Sequence, residues 1–488
     1  MAVIPPQDLL FLLMEAREKP AHVGGLALFE PPPDADEHYL YELYRSCVES
    51  EAPVRSLFRK RVNRPGLLGL QWVRDDDFDI EYHVRHSALP EPGRIRELLT
   101  VVSRLHGSLL DRNRPLWEAH LIEGLRDGRF ALYSKIHHAL CDGVTAMRLL
   151  EASMSPDPAE RGMPQPWARR PRQGSPFDEP DPDDPDALAA EPAHGRERAR
   201  PEPPEDDTWT ALVSDGLRRL GTEVAHGVGG VLSATEGVGQ LAASFRDQVA
   251  AAPQAPRTPF NVPVTGARRF AADSWSIDRV RAAGAPHGAT VNDVVLGMSA
   301  GALRRYLLDQ GALPDEPLVA MVPVSLKARG ADDSTGNAVG AVLCSLGTHL
   351  DGAAARLEHI QESMHRNKDR LEGLTPAQIL ALSALNLAPA VLPMSPLART
   401  PAAELLRPAF NVVISNVPGP KQPLYWNGAR LTGNYPLSVL TDGQAVNITT
   451  ASYAGSLDFG ILGCRRAVPS LQRLLGYLEE ELVELESA

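Results

Sequence analysis

The chain has 488 residues, 43% of them hydrophobic and 23% charged, with a formal net charge of −13. That length exceeds one compact domain and gives two domains room for a core each, while the negative balance excludes a general nucleic-acid binder. Four scattered cysteines, Cys47, Cys141, Cys344 and Cys464, form no C-x-x-C pair, so neither a disulfide framework nor a zinc ribbon is expected and a reducing compartment fits.

In chain order, residues 1–165 read as one α/β unit. Asp8 and Glu15 interrupt the first apolar run, and no basic n-region precedes it, so a helix over 6–16 is expected rather than a signal peptide. A strand follows at 22–29, a helix at 37–50, a strand at 78–84 and a helix at 94–110. Strands at 116–122 and 129–137 are joined by the Arg126-Asp127-Gly128 turn, and a helix opens near Gly143.

Residues 166–258 differ in kind. From Pro171 to Asp207 there are nine prolines, and twelve acidic residues stand against four arginines. Such a segment cannot bury enough apolar surface to offset its ordering entropy and reads as a solvated linker, with linker helices over 209–250. The second unit, 259–488, alternates again: a helix at 290–308, strands at 319–324 and 340–346, a helix at 356–371, a strand at 410–417, a hairpin over 446–462 and a terminal helix at 471–485. Within it, residues 373–398 carry no charge but contain Pro376, Pro389, Pro393 and Pro396. Those prolines break any single membrane span; a buried helix or a lipid-facing surface remains.

The segment KIHHALCDG (135–143) carries the chemistry. Strand alternation sends the two histidines to opposite faces if the strand persists, which argues against both ligating one metal ion. His138 continues the apolar face, toward an interior cavity or domain interface. A neutral imidazole there suits proton abstraction from a hydroxyl. Asp142 precedes an apolar-periodic run, so it reads as a helix N-cap and an architectural carboxylate, and Gly143 as a residue that allows a tight backbone where a side chain would clash. A satisfied core histidine is the alternative reading.

HHALCDG resembles the H-H-x-x-x-D-G motif of CoA-dependent acyltransferases. More specifically, the chain is similar to bacterial wax ester synthase/diacylglycerol acyltransferases over nearly its whole length apart from the acidic linker. PPQDLLFLLMEAREKPAHVGGLALFEPP near the N-terminus, Pro-Leu-Trp at 115–117, TVNDVVLGMSAGALRRYL at 290–307 and FNVVISNVPGP at 410–420 carry the same resemblance.

The resemblance implies a mixed α/β (α+β) fold of two chloramphenicol-acetyltransferase-like domains with an active-site tunnel between them. It implies transfer of a long-chain acyl group from acyl-CoA to a diacylglycerol or a long-chain alcohol, in a ternary complex without an acyl-enzyme. His138 would be the general base, and His137 a structural partner able to assist it. Asp142 would orient the loop through an arginine such as Arg304. Asn292, in the first turn of a helix capped by Thr290 and Asp293, would face the oxyanion. Gly143, Trp117, Asp293, Arg304, Ser415 and Asn416 would line or support the substrate site, with Trp117 packed beneath the histidine strand. No metal and no cofactor beyond the co-substrate acyl-CoA is expected. The implied setting is cytoplasmic, peripheral to the inner face of a membrane or to lipid droplets. An amide-forming condensation-type domain and a non-catalytic lipid- or droplet-associated protein are the competing readings.

Overall fold

A computed structural model describes residues 2–63, 70–168, 254–325, 339–371 and 407–488. The acidic run from Pro171, the expected linker helices and the uncharged 373–398 stretch lie outside the described residues.

The first half runs β1 (Ala2–Val3), α1 (Pro6–Met14), β2 (His22–Glu30), α2 (Tyr39–Val48), β3 (Lys60–Asn63), β4 (Gln71–Arg74), α3 (Ile80–His83), β5 (Val84–Ala88), α4 (Ile95–His106), β6 (Trp117–Glu123), β7 (Phe130–His137) and α5 (Gly143–Glu151). The second runs β8 (Arg268–Ser276), α6 (Ile277–Gly284), α7 (Val291–Asp309), β9 (Val319–Ser325), β10 (Val339–Ser345), α8 (Ala353–Leu371), β11 (Val412–Val417), β12 (Tyr425–Trp426), β13 (Ala429–Leu437), β14 (Val446–Tyr453), β15 (Ser456–Cys464) and α9 (Arg473–Glu486).

Among the described residues the strands form two six-stranded mixed sheets, ordered β12-β13-β2-β7-β6-β5 and β10-β9-β11-β14-β15-β8, and a small sheet β1-β4-β3. The central strand β7 is buried along almost its whole length because β2 and β6 flank it and helices or loops cover both faces. Helix α4 buries Leu98 and Val102 under the first sheet and reaches the second, where the Phe270 N–H donates to Ser103 Oγ (2.9 Å).

The sequence reading has no counterpart for β1, β3, β4, β8, α6 or β12, and two further elements differ from it. The strand expected at 78–84 begins only at Val84: the Asp79 carboxylate accepts the Glu81 N–H (3.0 Å) and closes the single turn α3 before it. Strand β13 was not expected at all, since Gly433 and Pro436 interrupt its pattern. It leaves the second half of the chain and pairs with β2 of the first sheet, with a bulge between Leu431 and Gly433. Its outer neighbour β12 covers only Ala429 and Arg430, so Pro436 sits where no further strand asks for its missing N–H.

Candidate active site

Strand β7 ends at His137, whose N–H donates to the Leu116 carbonyl (2.9 Å). The chain then turns, with the Leu140 N–H returning to the His137 carbonyl (2.9 Å). His138 therefore lies in a turn and not in a continued strand. Its N–H donates to the Ala21 carbonyl (2.9 Å), and its ring stacks on Phe11 of α1 at 3.9 Å and 13°. Its Nδ1 is buried with no hydrogen-bond partner among the described residues. Burial pushes the His138 imidazole down to about 4, against the opposing pull of its own main-chain carbonyl and of Asp142. At neutral pH the ring is uncharged.

His137 has other partners. It is fully buried, and the Ala139 N–H donates to its Nδ1 (3.1 Å). That nitrogen must carry a lone pair, so in the neutral ring the proton sits on Nε2, 3.5 Å from Glu15 Oε1. The two rings thus face different groups, but the strand stops between them, so the turn and not alternation along β7 separates them.

Asp142 is the N-cap of α5, its carboxylate accepting the Thr145 N–H (2.6 Å). No arginine from α7 reaches it. Arg304 instead donates to the Thr348 carbonyl (2.7 Å) and pairs with Asp351, both in the second half of the chain. The expected pairing of Asp142 with Arg304 is therefore corrected: the helix cap holds the carboxylate. Gly143 also departs from expectation, since a Cβ placed on it would meet nothing within 4 Å. No neighbouring protein group demands glycine there; the position borders open space.

Helix α5 adds a further contact between the halves. Its Met147 is buried against Val417 of β11 and Ala451 of β14, with Val144 alongside. Strand alternation puts Ser415 on the same face of β11 as Val417, toward α5. Asn416 lies on the other face, and its side-chain oxygen accepts from Thr450 Oγ1 (3.1 Å). At the far end of α5, burial raises the Glu151 carboxyl to about 7.

Thr290 and Asp293 form the capping box of α7: the Thr290 N–H donates to the Asp293 carboxylate (2.9 Å) and the Asp293 N–H to Thr290 Oγ1 (3.3 Å). This occupies Asp293 with helix architecture. The side chain of Asn292, half-buried between them, donates to and accepts from none of the described residues, and no hydrogen bond joins it to the histidine turn. Trp117 is 2% exposed, stacks on His83 at 4.6 Å and donates its indole N–H to the Phe58 carbonyl (2.8 Å). It is a packing residue beside the histidine strand, and these contacts support the site without placing the indole in it. Sequence reasoning missed Phe11, Glu15 and Arg112, which surround the histidines from α1 and the loop after α4. The available signal was the spacing of Phe11 and Glu15, one helical turn apart.

The site thus stands on two six-stranded mixed sheets, with β13 from the second half of the chain paired into the first sheet and a neutral histidine in the turn between β7 and α5. Residues 4–295 match the wax ester synthase/diacylglycerol acyltransferase catalytic domain, and residues 335–486 match the WS/DGAT C-terminal domain. A Mycobacterium tuberculosis (strain H37Rv) protein named probable diacylglycerol O-acyltransferase tgs2 is 47% identical, covering 100% of this chain and 99% of its own. The O-acyltransferase WSD of Acinetobacter baylyi is 39% identical, over 99% of this chain and 96% of its own. The solved wax ester synthase/diacylglycerol acyltransferase from Marinobacter aquaeolei VT8 superposes with a TM-score of 0.74 at 39% identity, covering 99% of this chain and 98% of that one. The first condensation domain of the calcium-dependent antibiotic synthetase, 16% identical with a TM-score of 0.54, shares the fold alone. The chain belongs to the wax ester synthase/diacylglycerol acyltransferase family, and it is an acyltransferase.

Proposed function

We propose that the protein transfers a long-chain acyl group from acyl-CoA to the hydroxyl of a diacylglycerol or a long-chain alcohol, with His138 as general base. The observation that carries this reading is the state of His138: neutral at physiological pH, stacked on Phe11 and half-buried in the turn between β7 and α5, with Nδ1 turned inward and Nε2 left as the ring nitrogen for an acceptor hydroxyl. The imidazole takes the acceptor hydroxyl proton as the oxygen attacks the thioester carbonyl carbon. The tetrahedral intermediate collapses with cleavage of the C–S bond, and the imidazolium returns the proton to the leaving thiolate as free CoA. Burial makes the resting ring a weak base. Negative charge developing on the thioester oxygen raises its proton affinity as the reaction proceeds.

In this reading Asn292 donates to that oxyanion from the first turn of α7, where the helix dipole also favours negative charge. The absence of a competing partner for its amide among the described residues supports the role. The open space beside Gly143 would receive substrate. Acyl donor and acceptor meet in a ternary complex, and no cofactor beyond acyl-CoA is needed. An acceptor dissolved in lipid implies work at the inner face of a membrane or at a lipid droplet, as a peripheral cytoplasmic protein. No helix among the described residues is long and apolar enough to cross a membrane.

Free CoA released from palmitoyl-CoA, measured with dioleoylglycerol, with hexadecanol and without acceptor, tests the reading. Release that requires an acceptor, with ester as product, is the expected outcome, and the faster acceptor names the physiological class. Equal release with and without acceptor would indicate thioester hydrolysis and contradict the ternary complex.

A further inference from the structure

Glu15 has no role in the reaction as described so far, yet its contacts converge on the residue that does. It is the C-cap of α1, with a side chain only 2% exposed. Its Oε1 accepts the Ala21 N–H (3.2 Å) and lies 3.5 Å from the proton-bearing Nε2 of His137. Its Oε2 accepts from Arg112 Nε (3.0 Å), and Arg112 also donates to the Leu12 carbonyl (2.6 Å) at the end of the same helix. Ala21 in turn accepts the His138 N–H. The carboxylate thus holds both segments that fix His138: the strand end through His137, and the lead-in to β2 through Ala21. One turn earlier, α1 presents Phe11 to the face of the His138 ring.

The geometry points to Glu15 as a positioning residue for acyl transfer. Its carboxylate locks α1 to the histidine turn, so that the His138 ring stays against Phe11 in one orientation. This inference rests on the reading of His138 as the base. A buried carboxylate paired with an arginine could equally be a plain structural anchor. An anchor would alter stability and leave the chemistry of each folded molecule unchanged. A positioning residue alters the chemistry itself, because displacing a reacting group by about 1 Å costs on the order of 10²-fold in rate.

The test compares native protein with Glu15→Ala, Glu15→Gln and Glu15→Asp for kcat, KM and the pH dependence of kcat/KM with palmitoyl-CoA and the better acceptor. Glu15→Ala is expected to lower kcat about 10²-fold with both KM values within about twofold. Its acid limb should move upward toward the ordinary histidine range, as the ring leaves its stack. Glu15→Gln keeps an acceptor oxygen for Ala21 and His137 but turns amide N–H groups toward Arg112, which loses its acceptor, so a kcat between the native and the alanine values is expected. Should Glu15→Ala not fold, Glu15→Asp carries the test: it keeps the charge but retracts the oxygens by one methylene, and a loss in kcat at unchanged KM is again expected. Native kcat and an unmoved acid limb in either folded variant would overturn the proposal, as would a glutamine variant as impaired as the alanine one. His138→Ala in the same assay separates the two claims. If it is inactive while Glu15→Ala is fully active, only the positioning role falls. If it remains active, the base reading falls, and the His138 titration followed by NMR in Glu15→Ala still decides whether Glu15 holds the ring.

Discussion

The histidines of the first half show how much a single partner decides. His106 donates from Nε2 to the Ser438 carbonyl (3.0 Å), so its Nδ1 must accept from the Tyr133 hydroxyl (2.9 Å). It is buried and its imidazole is pushed down to about 3 by that burial, with Lys135 and Arg268 adding to the effect. Unfolded, the same ring titrates near 6.5, so below that pH the unfolded chain binds the extra proton and stability falls as pH falls. Asp8 and Glu151, raised to about 6 and about 7 by burial, act in the opposite direction, so the whole-protein curve is not the readout. His106→Gln is. A glutamine amide can accept from Tyr133 and donate to Ser438 while losing the titration. Between pH 6.5 and 5 the stability of His106→Gln should fall less steeply than native, by a difference that grows from about 0.7 to about 1.4 kcal/mol per pH unit. Parallel curves in pH-dependent denaturant melts would show that His106 does not carry the linkage. His138 differs in the part that matters: its Nδ1 has no such partner.

Among the elements, α7 and α9 show a site built for rigidity. Arg356 of α8 reaches the Glu481 carboxylate of α9 through Nε (2.9 Å) and Nη2 (2.7 Å), with the two side chains 1% and 0% exposed. Arg305 of α7 joins the same carboxylate, and Gly301 leaves it room, since a Cβ there would collide with it. Removing one member leaves a buried charge uncompensated. Glu481→Ala is expected to cost about 3–5 kcal/mol in chemical denaturation; a loss below about 1 kcal/mol would mean the network is dispensable. The other end of α7 carries Asn292. Bracing the helix there gives the proposed oxyanion donor a fixed base.

For the molecule as a whole, legibility followed the range of the interaction. Helices α1, α4, α7 and α9 and strands β2, β7, β14 and β15 were readable, because local periodicity and turn chemistry specify them. The Asp142 cap and the Thr290–Asp293 box were readable for the same reason: each is closed within a few residues. Strand β13 was not. Its pairing with β2 spans some four hundred residues, and nothing local to Gly433 or Pro436 announces it. Arg304 was offered to Asp142 only as one arginine the resemblance would allow, and tertiary packing sends it to Asp351. Glu15 and Arg112 were invisible because their importance lies in joining α1 to a turn more than a hundred residues away.

The central claim is that acyl transfer depends on one imidazole, that of His138. The most direct measurement is kcat/KM for acceptor-dependent CoA release by His138→Ala, with folding checked by circular dichroism. A loss of about 10²–10⁴-fold, with the fold unchanged, is the result the account predicts. Native-like turnover in a folded His138→Ala protein would contradict it and return the search for the base to the remaining titratable groups beside α5.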